Sequence, residues 1–293
     1  MTLPETTKIG FIGTGVMGKS MARQLMKSKY PLHIYSRTKE KAKELIKEGA
    51  IWEESVAALV AKCRIVFTIV GFPTDVEDVY LGDGGILNNI SSGGYVIDMT
   101  TSQPQLAVKI SAEAEKKGVS ALDAPVSGGD TGARNGQLSI MVGGEEKAYE
   151  TILPLFLLMG TNIVYQGPAG SGQHTKMCNQ IVIAAGMMGV CEALAYAGHA
   201  GLDVETVLKS IESGAAGSWS LSNLGPRMIG GDFEPGFYVK HFIKDMIIAS
   251  ESAKSMNLET PGLDLAKSLY EKLAEQGSSD DGTQALFKIY GGK

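Results

Sequence analysis

Lys176 is the residue best suited by type and position to transfer a proton. It follows a glycine-rich turn at 170–172 and begins a long, apolar helical pattern, with Asn179 and Gln180 on the same helix face. A helix N-terminus disfavours the charged form of a lysine, which suits proton transfer near neutral pH. The ordinary alternative is a lysine that reaches the surface at a helix end. The glycine turn and the polar pair favour proton transfer.

A second group of residues could bind a small carboxylate. Ser127, Gly128 and Gly129 follow an apolar strand pattern within the stretch 123–133. The serine hydroxyl and bare glycine amides could form an anion-binding loop, and ligands of open α/β sheets bind at this end of the strands. A flexible connection between two strands would explain the same stretch.

The turn Ser36-Arg37-Thr38 follows the second strand pattern, where NAD-selective sites usually carry a carboxylate. Two hydroxyls and a guanidinium would instead bind a 2′-phosphate, so the sequence predicts NADP preference. The alternative is a solvated turn, with Thr38 capping the helix predicted at 39–48.

Gly13, Gly15 and Gly18 give the spacing G-x-G-x-x-G between a strand pattern and a helix pattern. In a dinucleotide-binding turn the first glycine allows the tight turn. The second admits the pyrophosphate, and the third lets the helix pack on the strand. The helix N-terminus then offers free N–H groups to the phosphates. An ordinary glycine turn is the alternative.

Strand and helix patterns alternate through the first 165 residues, which predicts a doubly wound, mostly parallel α/β sheet. The predicted strands are 8–12, 32–35, 64–70, 95–99, 120–126, 138–142 and 162–165.

Strand signals stop after Tyr165, and only helical patterns follow. The predicted domains are therefore 1–165 and an all-helical 166–293, with a long helix at about 173–200 joining them. This helix is apolar on nearly all faces, which predicts burial. Because Glu192 and His199 interrupt its apolar run, we expect a buried helix and not a membrane span.

Composition restricts the function classes. The chain has 293 residues and a net charge of −5, which argues against nucleic-acid binding. Three widely spaced cysteines and four histidines without ligand spacing predict no disulfide framework and no metal site. The short, polar start is unlike a signal peptide, so we expect a cytoplasmic protein that binds no membrane.

Together the motifs resemble the β-hydroxyacid dehydrogenase family, which includes 3-hydroxyisobutyrate dehydrogenases, tartronate semialdehyde reductases and glyoxylate/succinic semialdehyde reductases. Four stretches match in order over essentially the whole chain: the cofactor motif at 10–22, the substrate motif at 123–136, the catalytic motif at 167–179 and a second cofactor motif at Lys244-Asp245. From spacing alone, Lys240, Lys244 and Asp245 would fit a solvated helix face.

The resemblance implies roles for individual residues. Lys176 matches the catalytic lysine. The implied substrate-binding residues are Ser127, Gly128, Gly129, Asn179, Phe237 and Asp245. The implied cofactor-binding residues are Gly13, Gly15, Val16, Met17, Gly18, Ser36, Arg37, Thr38, Val70, Thr101 and Lys244. Trp219 and Phe237 are candidate pocket walls or, alternatively, core aromatics.

This chain departs from the family pattern at Gln180 and Gln24, where the motifs commonly have asparagine. The predicted function is an NADP-dependent oxidoreductase that interconverts a small β-hydroxyacid and its semialdehyde or ketoacid, working as a homodimer or homotetramer. The alternatives are an NAD-linked 3-hydroxyisobutyrate-type dehydrogenase and a catalytically silent NADP-binding protein. Lys176 argues against the silent protein and against imine reductases, which carry another residue there.

Overall fold

The computed structural model describes residues 6–28 and 30–291, which form two compact units. The first is Met1–Lys176 and the second is Met177–Lys293. The division falls inside the long helix, whereas the sequence placed it at 165/166.

The first unit is built on one sheet of nine strands. The strands are β1 Ile9–Ile12, β2 Leu32–Tyr35, β3 Ile51–Trp52, β4 Ile65–Thr68, β5 Tyr95–Asp98, β6 Ser120–Asp123, β7 Val126–Ser127, β8 Leu138–Gly144 and β9 Gly160–Gly167.

The strand order is β3-β2-β1-β4-β5-β6-β8-β7, and β9 pairs with β8. The first six strands of this order are parallel, and the order is that of a Rossmann sheet. β8 pairs antiparallel with β6 and β7, and β9 runs parallel to β8. The predicted fold class, a Rossmann-type sheet followed by an all-α part, is confirmed.

The parallel strands end in one row across the sheet. Ile12, Tyr35, Thr68, Asp98 and Asp123 are register partners of their neighbours and are the last residues of their strands. Every loop that follows one of these residues therefore begins at the same edge, where α/β sheets bind ligands. We call this the carboxyl edge.

In the part of the chain that the structure describes, eight α-helices and a 3-10 helix at Lys39–Ala42 connect the strands. The α-helices are α1 Val16–Lys27, α2 Lys43–Lys47, α3 Val56–Val60, α4 Pro73–Leu81, α5 Ile86–Asn89, α6 Pro104–Glu115, α7 Gly129–Asn135 and α8 Glu146–Met159. Every residue of β1 and β4 is buried, because helices cover both faces of the parallel part.

The long helix α9, Ser171–His199, continues into the second unit, where further helices follow. These are α10 Val204–Ile211, α11 Trp219–Ile229, α12 Val239–Ser255, α13 Pro261–Leu273 and a 3-10 helix at Thr283–Tyr290. Their core includes Met187, Cys191 and Leu194 of α9, together with Phe242, whose ring packs edge-to-face against that of Tyr270.

The prediction that α9 is buried on nearly all faces was wrong. Val182 and Tyr196 are 72% and 75% exposed, and Gly186 and Gly189 between them are exposed too. The apolar composition of the helix does not reveal that the face with these four residues is left uncovered by the rest of the chain. By length and composition alone α9 is the one helix in the described residues that could cross a membrane, a test that core helices also pass.

Candidate active site

The glycine turn between β1 and α1 contains two glycines that the fold itself requires. Gly13 has φ +101°, and a Cβ there would lie 2.0 Å from the Ile69 carbonyl oxygen. A Cβ on Gly18 would lie 1.9 Å from the carbonyl oxygen of Gly13. Gly15 is different, because a Cβ there would meet nothing within 4 Å. The protein itself leaves Gly15 room for a side chain, so a closely approaching ligand explains this glycine best.

The same turn fits the phosphates of a dinucleotide. Gly15 caps α1 without any side-chain hydrogen bond, and the first turn of that helix has no acidic residue. Thr14 is 1% exposed, and its hydroxyl has no hydrogen-bond partner among the described residues. A buried hydroxyl without a partner is costly unless a ligand or water completes it. Sequence reasoning missed Thr14, although its place between two glycines could have indicated it.

The turn after β2 presents its polar groups at the carboxyl edge. Arg37 is exposed, and its Nη1 donates a 2.7 Å hydrogen bond to Asp75 Oδ1. The other oxygen of Asp75 accepts from the Phe72 amide, so the carboxylate is held at the start of α4. Thr38 stands before a short 3-10 helix but makes no capping hydrogen bond with its side chain. The Thr38 side chain therefore does not cap this helix.

The loops after β4 and β5 are tied together. The Val70 amide donates a 3.0 Å hydrogen bond to Thr100 Oγ1, and the Thr100 amide donates to Asp98 Oδ1 at 3.1 Å. Thr101 is the next residue. Two predicted cofactor contacts, Val70 and Thr101, thus lie on loops that are bonded to each other.

The predicted carboxylate loop joins β7 to α7. Ser127 ends β7, and Gly128 and Gly129 have φ of +125° and +62°. L residues rarely adopt such angles, so the loop requires glycine at both positions. A Cβ on Gly129 would meet nothing within 4 Å, which leaves this backbone accessible.

Lys176 is only 6% exposed. The helix that carries it begins at Ser171, two residues earlier than predicted, so Lys176 lies in the second turn. The predicted effect of the helix dipole is therefore weaker, because it falls off within the first turn.

Asp123, the last residue of β6, holds the beginning of α9. Its Oδ1 and Oδ2 accept hydrogen bonds from the amides of Gly170 and Gln173, both at 2.8 Å. A Cβ on Gly172 would lie 2.6 Å from the Asp123 carbonyl oxygen, so the glycine turn lets the helix rest directly on the strand. Burial raises the pKa of Asp123 to about 6; the two amides oppose this rise, and the nearby charge of Asp98 adds to it.

In the second unit, four polar residues form a continuous chain. Asn179 Nδ2 donates to Gln180 Oε1 at 2.7 Å, and Gln180 Nε2 donates to Asp245 Oδ2 at 2.6 Å. Lys244 Nζ lies 2.7 Å from Asp245 Oδ1. Gln180 and Asp245 are buried, at 1% and 2% exposure. Gln180 thus joins Asn179 to Asp245, and Asp245 forms an ion pair with Lys244.

The other candidate residues of this unit, Phe237, Trp219 and Lys240, lie in different environments. Phe237 packs against Phe242 at 5.6 Å between ring centroids, whereas Trp219 is 62% exposed and is not a core aromatic. Lys240 forms an ion pair with Asp280, as expected of a solvated helix face.

Metal binding finds no support in the described parts of the chain. Within residues 6–28 and 30–291, no cluster of three or more His, Cys, Asp or Glu side chains could hold a metal ion. The three cysteines are free, and burial raises the pKa of the Cys63 and Cys191 thiols to about 12.

Comparison with known families matches both parts of the chain. Residues 8–167 match the NAD binding domain of 6-phosphogluconate dehydrogenase, and residues 170–290 match the NAD-binding domain of NADP-dependent 3-hydroxyisobutyrate dehydrogenase. The chain belongs to the β-hydroxyacid dehydrogenase family. It is an NAD(P)-dependent oxidoreductase of the β-hydroxyacid dehydrogenase type.

Individual relatives in this family cover nearly the whole chain. The chain is 62% identical to the uncharacterized oxidoreductase YkwC of Bacillus subtilis, covering 96% of this chain and 98% of that protein. It is 48% identical to the probable mitochondrial 3-hydroxyisobutyrate dehydrogenase-like protein 1 of Arabidopsis thaliana, covering 97% and 85%. The structure of Psf3 in complex with NADP⁺ and 2-OPP superposes with a TM-score of 0.90 at 27% identity, covering 96% and 99%.

The two departures from the β-hydroxyacid dehydrogenase motifs have distinct local roles. Gln24 of α1 is buried, and its Nε2 donates to the carbonyl oxygens of Ala133 and Arg134 at the end of α7. It packs two helices together. Gln180 instead joins predicted site residues.

Proposed function

We propose that this β-hydroxyacid dehydrogenase is an NADP-dependent reductase of a small semialdehyde or ketoacid, with Lys176 as its general acid and base. The observation that carries the proposal is a lysine at 6% exposure, on a helix whose start is hydrogen-bonded to the carboxyl edge of the sheet. Burying a lysine is costly, and functional sites are where such costs are commonly found.

Each group has a defined task in the reaction. Bound NADPH supplies the hydride to the carbonyl carbon of the substrate. The Lys176 ammonium donates a proton to the carbonyl oxygen, and in the oxidation direction the Lys176 amine accepts it. The Ser127 hydroxyl and the amides of Gly128 and Gly129 hold the substrate carboxylate, which fixes the orientation of the carbonyl. Asn179, Phe237 and Asp245 stay predicted substrate-binding residues, and Lys244 a predicted cofactor contact.

The turn after β2 supports NADP over NAD. No carboxylate occupies positions 36–38, and the Arg37 guanidinium still has N–H groups beyond the one bonded to Asp75. A 2′-phosphate would gain charge-assisted hydrogen bonds there, whereas a ribose hydroxyl would find no carboxylate within the turn. The rival reading, an NAD-linked enzyme, requires the opposite preference.

Substitution of Lys176 by methionine tests the mechanism. Methionine keeps a similar length and apolar stem but cannot exchange a proton. We expect Lys176→Met to bind NADPH, measured by its fluorescence, with nearly wild-type affinity and to lose turnover by about a hundredfold or more. Lys209→Met, at an exposed position of α10, is the matched control and keeps full turnover. Near-wild-type turnover of Lys176→Met would refute the mechanism.

A panel of carbonyl compounds tests which substrate the protein reduces. NADPH oxidation is followed with glyoxylate, succinic semialdehyde, tartronate semialdehyde and methylmalonate semialdehyde. If the wild-type protein binds NADPH but reduces none of them, the catalytically silent alternative is favoured.

The exposed face of α9 supports a homo-oligomer, either a dimer or a tetramer. That the protein is cytoplasmic stays a prediction from the sequence. Val182 and Tyr196 flank Gly186 and Gly189, so a second copy of the same helix could approach closely. We expect Val182→Asp to shift the sedimentation of the protein to the monomer, whereas Leu258→Asp, at another exposed apolar residue outside α9, leaves it unchanged. A monomeric wild-type protein would end this part of the proposal.

A further inference from the structure

Gln173 joins the helix of Lys176 to the loop after β5 through its side chain. It lies one helical turn before Lys176 and is fully buried, at 0% exposure. Its Nε2 donates a 2.7 Å hydrogen bond to the Thr100 carbonyl oxygen, and its Oε1 accepts a 2.9 Å hydrogen bond from the Ser102 amide. The amide therefore spans Thr101 by bonding to the residues on both sides of it.

The two ends of this connection are themselves fixed. On the helix side, the backbone amide of Gln173 donates to Asp123 Oδ2. On the loop side, Thr100 Oγ1 accepts from the Val70 amide. Gln173 thus links the loops that carry the predicted cofactor contacts Val70 and Thr101 to the turn that precedes Lys176.

We infer that Gln173 is a positioning residue, which fixes the Thr101 loop against the helix that carries Lys176. The inference rests on the proposed function, in which a proton from Lys176 and a hydride from NADPH reach the same carbonyl group. Both transfers require the two groups to be held at a defined separation, and small misplacements are costly. Gln173 touches neither substrate nor cofactor in this role and acts through the backbone of residues 100–102.

The side chain suits this task because of its two-sided amide. One planar group supplies a donor for the Thr100 carbonyl and an acceptor for the Ser102 amide, in a place without competing water. Methionine has the same length and offers neither. Glutamate keeps the acceptor for the Ser102 amide but can donate to the Thr100 carbonyl oxygen only when it is protonated, so the substitution weakens one bond and keeps the other.

The experiment compares Gln173→Met, Gln173→Glu and the control Gln105→Met, an exposed glutamine of α6. NADPH binding is measured by fluorescence, and turnover is expressed per NADPH-binding site, with the aldehyde of the panel above that the wild-type protein reduces fastest. We expect NADPH affinity within about threefold of wild type and a loss in kcat of about a hundredfold for Gln173→Met, with a smaller loss for Gln173→Glu. A merely structural role would lower the number of binding sites and leave kcat per site unchanged.

Amide hydrogen exchange gives a readout that does not depend on activity. The peptide that contains Ser102 exchanges faster in Gln173→Met and keeps its protection in Gln173→Glu, because the acceptor is retained. Unchanged exchange in Gln173→Met, or wild-type kcat per site in either folded variant, would overturn the inference. If Gln173→Met does not fold, the kcat of Gln173→Glu decides alone.

Lys176→Met in the same assay separates this inference from the proposed function. An inactive Lys176→Met beside a fully active Gln173→Met rejects only the positioning role. An active Lys176→Met rejects the proposed mechanism itself.

Discussion

Gln180 donates a 2.6 Å hydrogen bond from its Nε2 to Asp245 Oδ2 and accepts one from Asn179 with its Oε1. The two bonds fix which way the Gln180 amide faces. They also orient the amide of Asn179, the residue predicted to contact substrate. The Gln180 side chain therefore connects α9 to α12.

Shortening this side chain tests the connection. Gln180→Asn removes one methylene, so the amide no longer reaches both Asp245 and Asn179. Because Asn179, the predicted substrate contact, would lose the acceptor that orients its amide, we expect kcat/KM for the aldehyde to fall by about tenfold or more.

Steady-state kinetics with NADPH at saturation measure this effect. Gln276→Asn, an exposed glutamine of the same unit, is the control and keeps wild-type values. Unchanged kcat/KM in Gln180→Asn would show that the chain of hydrogen bonds has no part in substrate handling.

The backbone of the site was predictable from the sequence. Gly13 is required by its positive φ, and Gly18 by its close approach to neighbouring backbone. Because these requirements are local, the two glycines occur at a fixed spacing that can be recognised in the sequence. The strands β1 and β4 are mostly apolar and fully buried, and their patterns in the sequence place the glycine turn at the carboxyl edge.

The side-chain connections were not predictable. Arg37 pairs with Asp75, 38 positions later, and Gln173 bonds to residues more than 70 positions earlier. These contacts depend on the order of the strands in the sheet. Polar residues in loops have no periodic pattern from which that strand order could be predicted. The exposed face of α9 was missed for a related reason, because a helix of apolar and small residues has the same pattern whether it packs against its own chain or not.

The cofactor preference depends on the turn after β2. Arg37→Ala removes the charge-assisted hydrogen bonds available to a 2′-phosphate, so we expect kcat/KM for NADPH to fall by about ten- to a hundredfold. The value for NADH stays nearly constant. Ser36→Asp adds a carboxylate that repels the phosphate and accepts from a ribose hydroxyl, which raises the NADH value as well.

Kinetics with both cofactors measure this ratio. Arg64→Ala is the control, because Arg64 is exposed and bonds to the Gly93 carbonyl oxygen, away from the carboxyl edge. The NADP assignment fails if both variants at the turn keep the wild-type ratio of NADPH to NADH.

The buried carboxyl of Asp123 makes stability depend on pH. Its folded pKa of about 6 lies above the ordinary value of 3.8, so the folded state holds this proton more tightly than the unfolded state. Between about pH 4 and pH 6, this group therefore makes the protein less stable as the pH rises, by on the order of 3 kcal/mol in total.

Asp123→Asn lacks this ionisation. We expect the melting temperature of the wild-type protein, minus that of Asp123→Asn, to fall as the pH is raised from about 4.5 to about 7. Thermal unfolding at matched ionic strength measures the difference. A difference that stays constant over this range, or grows, would contradict the raised pKa.

Gly15 and Gly18 differ in what their missing side chains allow, and alanine at each position separates the two roles. A Cβ at position 18 would lie 1.9 Å from the Gly13 carbonyl oxygen, so Gly18→Ala forces the turn apart and lowers the melting temperature.

At position 15 a Cβ meets no protein atom within 4 Å, and φ of −71° is open to alanine. Gly15→Ala therefore keeps the wild-type melting temperature in the absence of cofactor, while its NADPH affinity falls by about tenfold or more because the methyl group takes the place of a phosphate. Fluorescence titration with NADPH and thermal unfolding without it measure the two effects. If Gly15→Ala binds NADPH as tightly as the wild-type protein does, the pyrophosphate does not lie against this glycine.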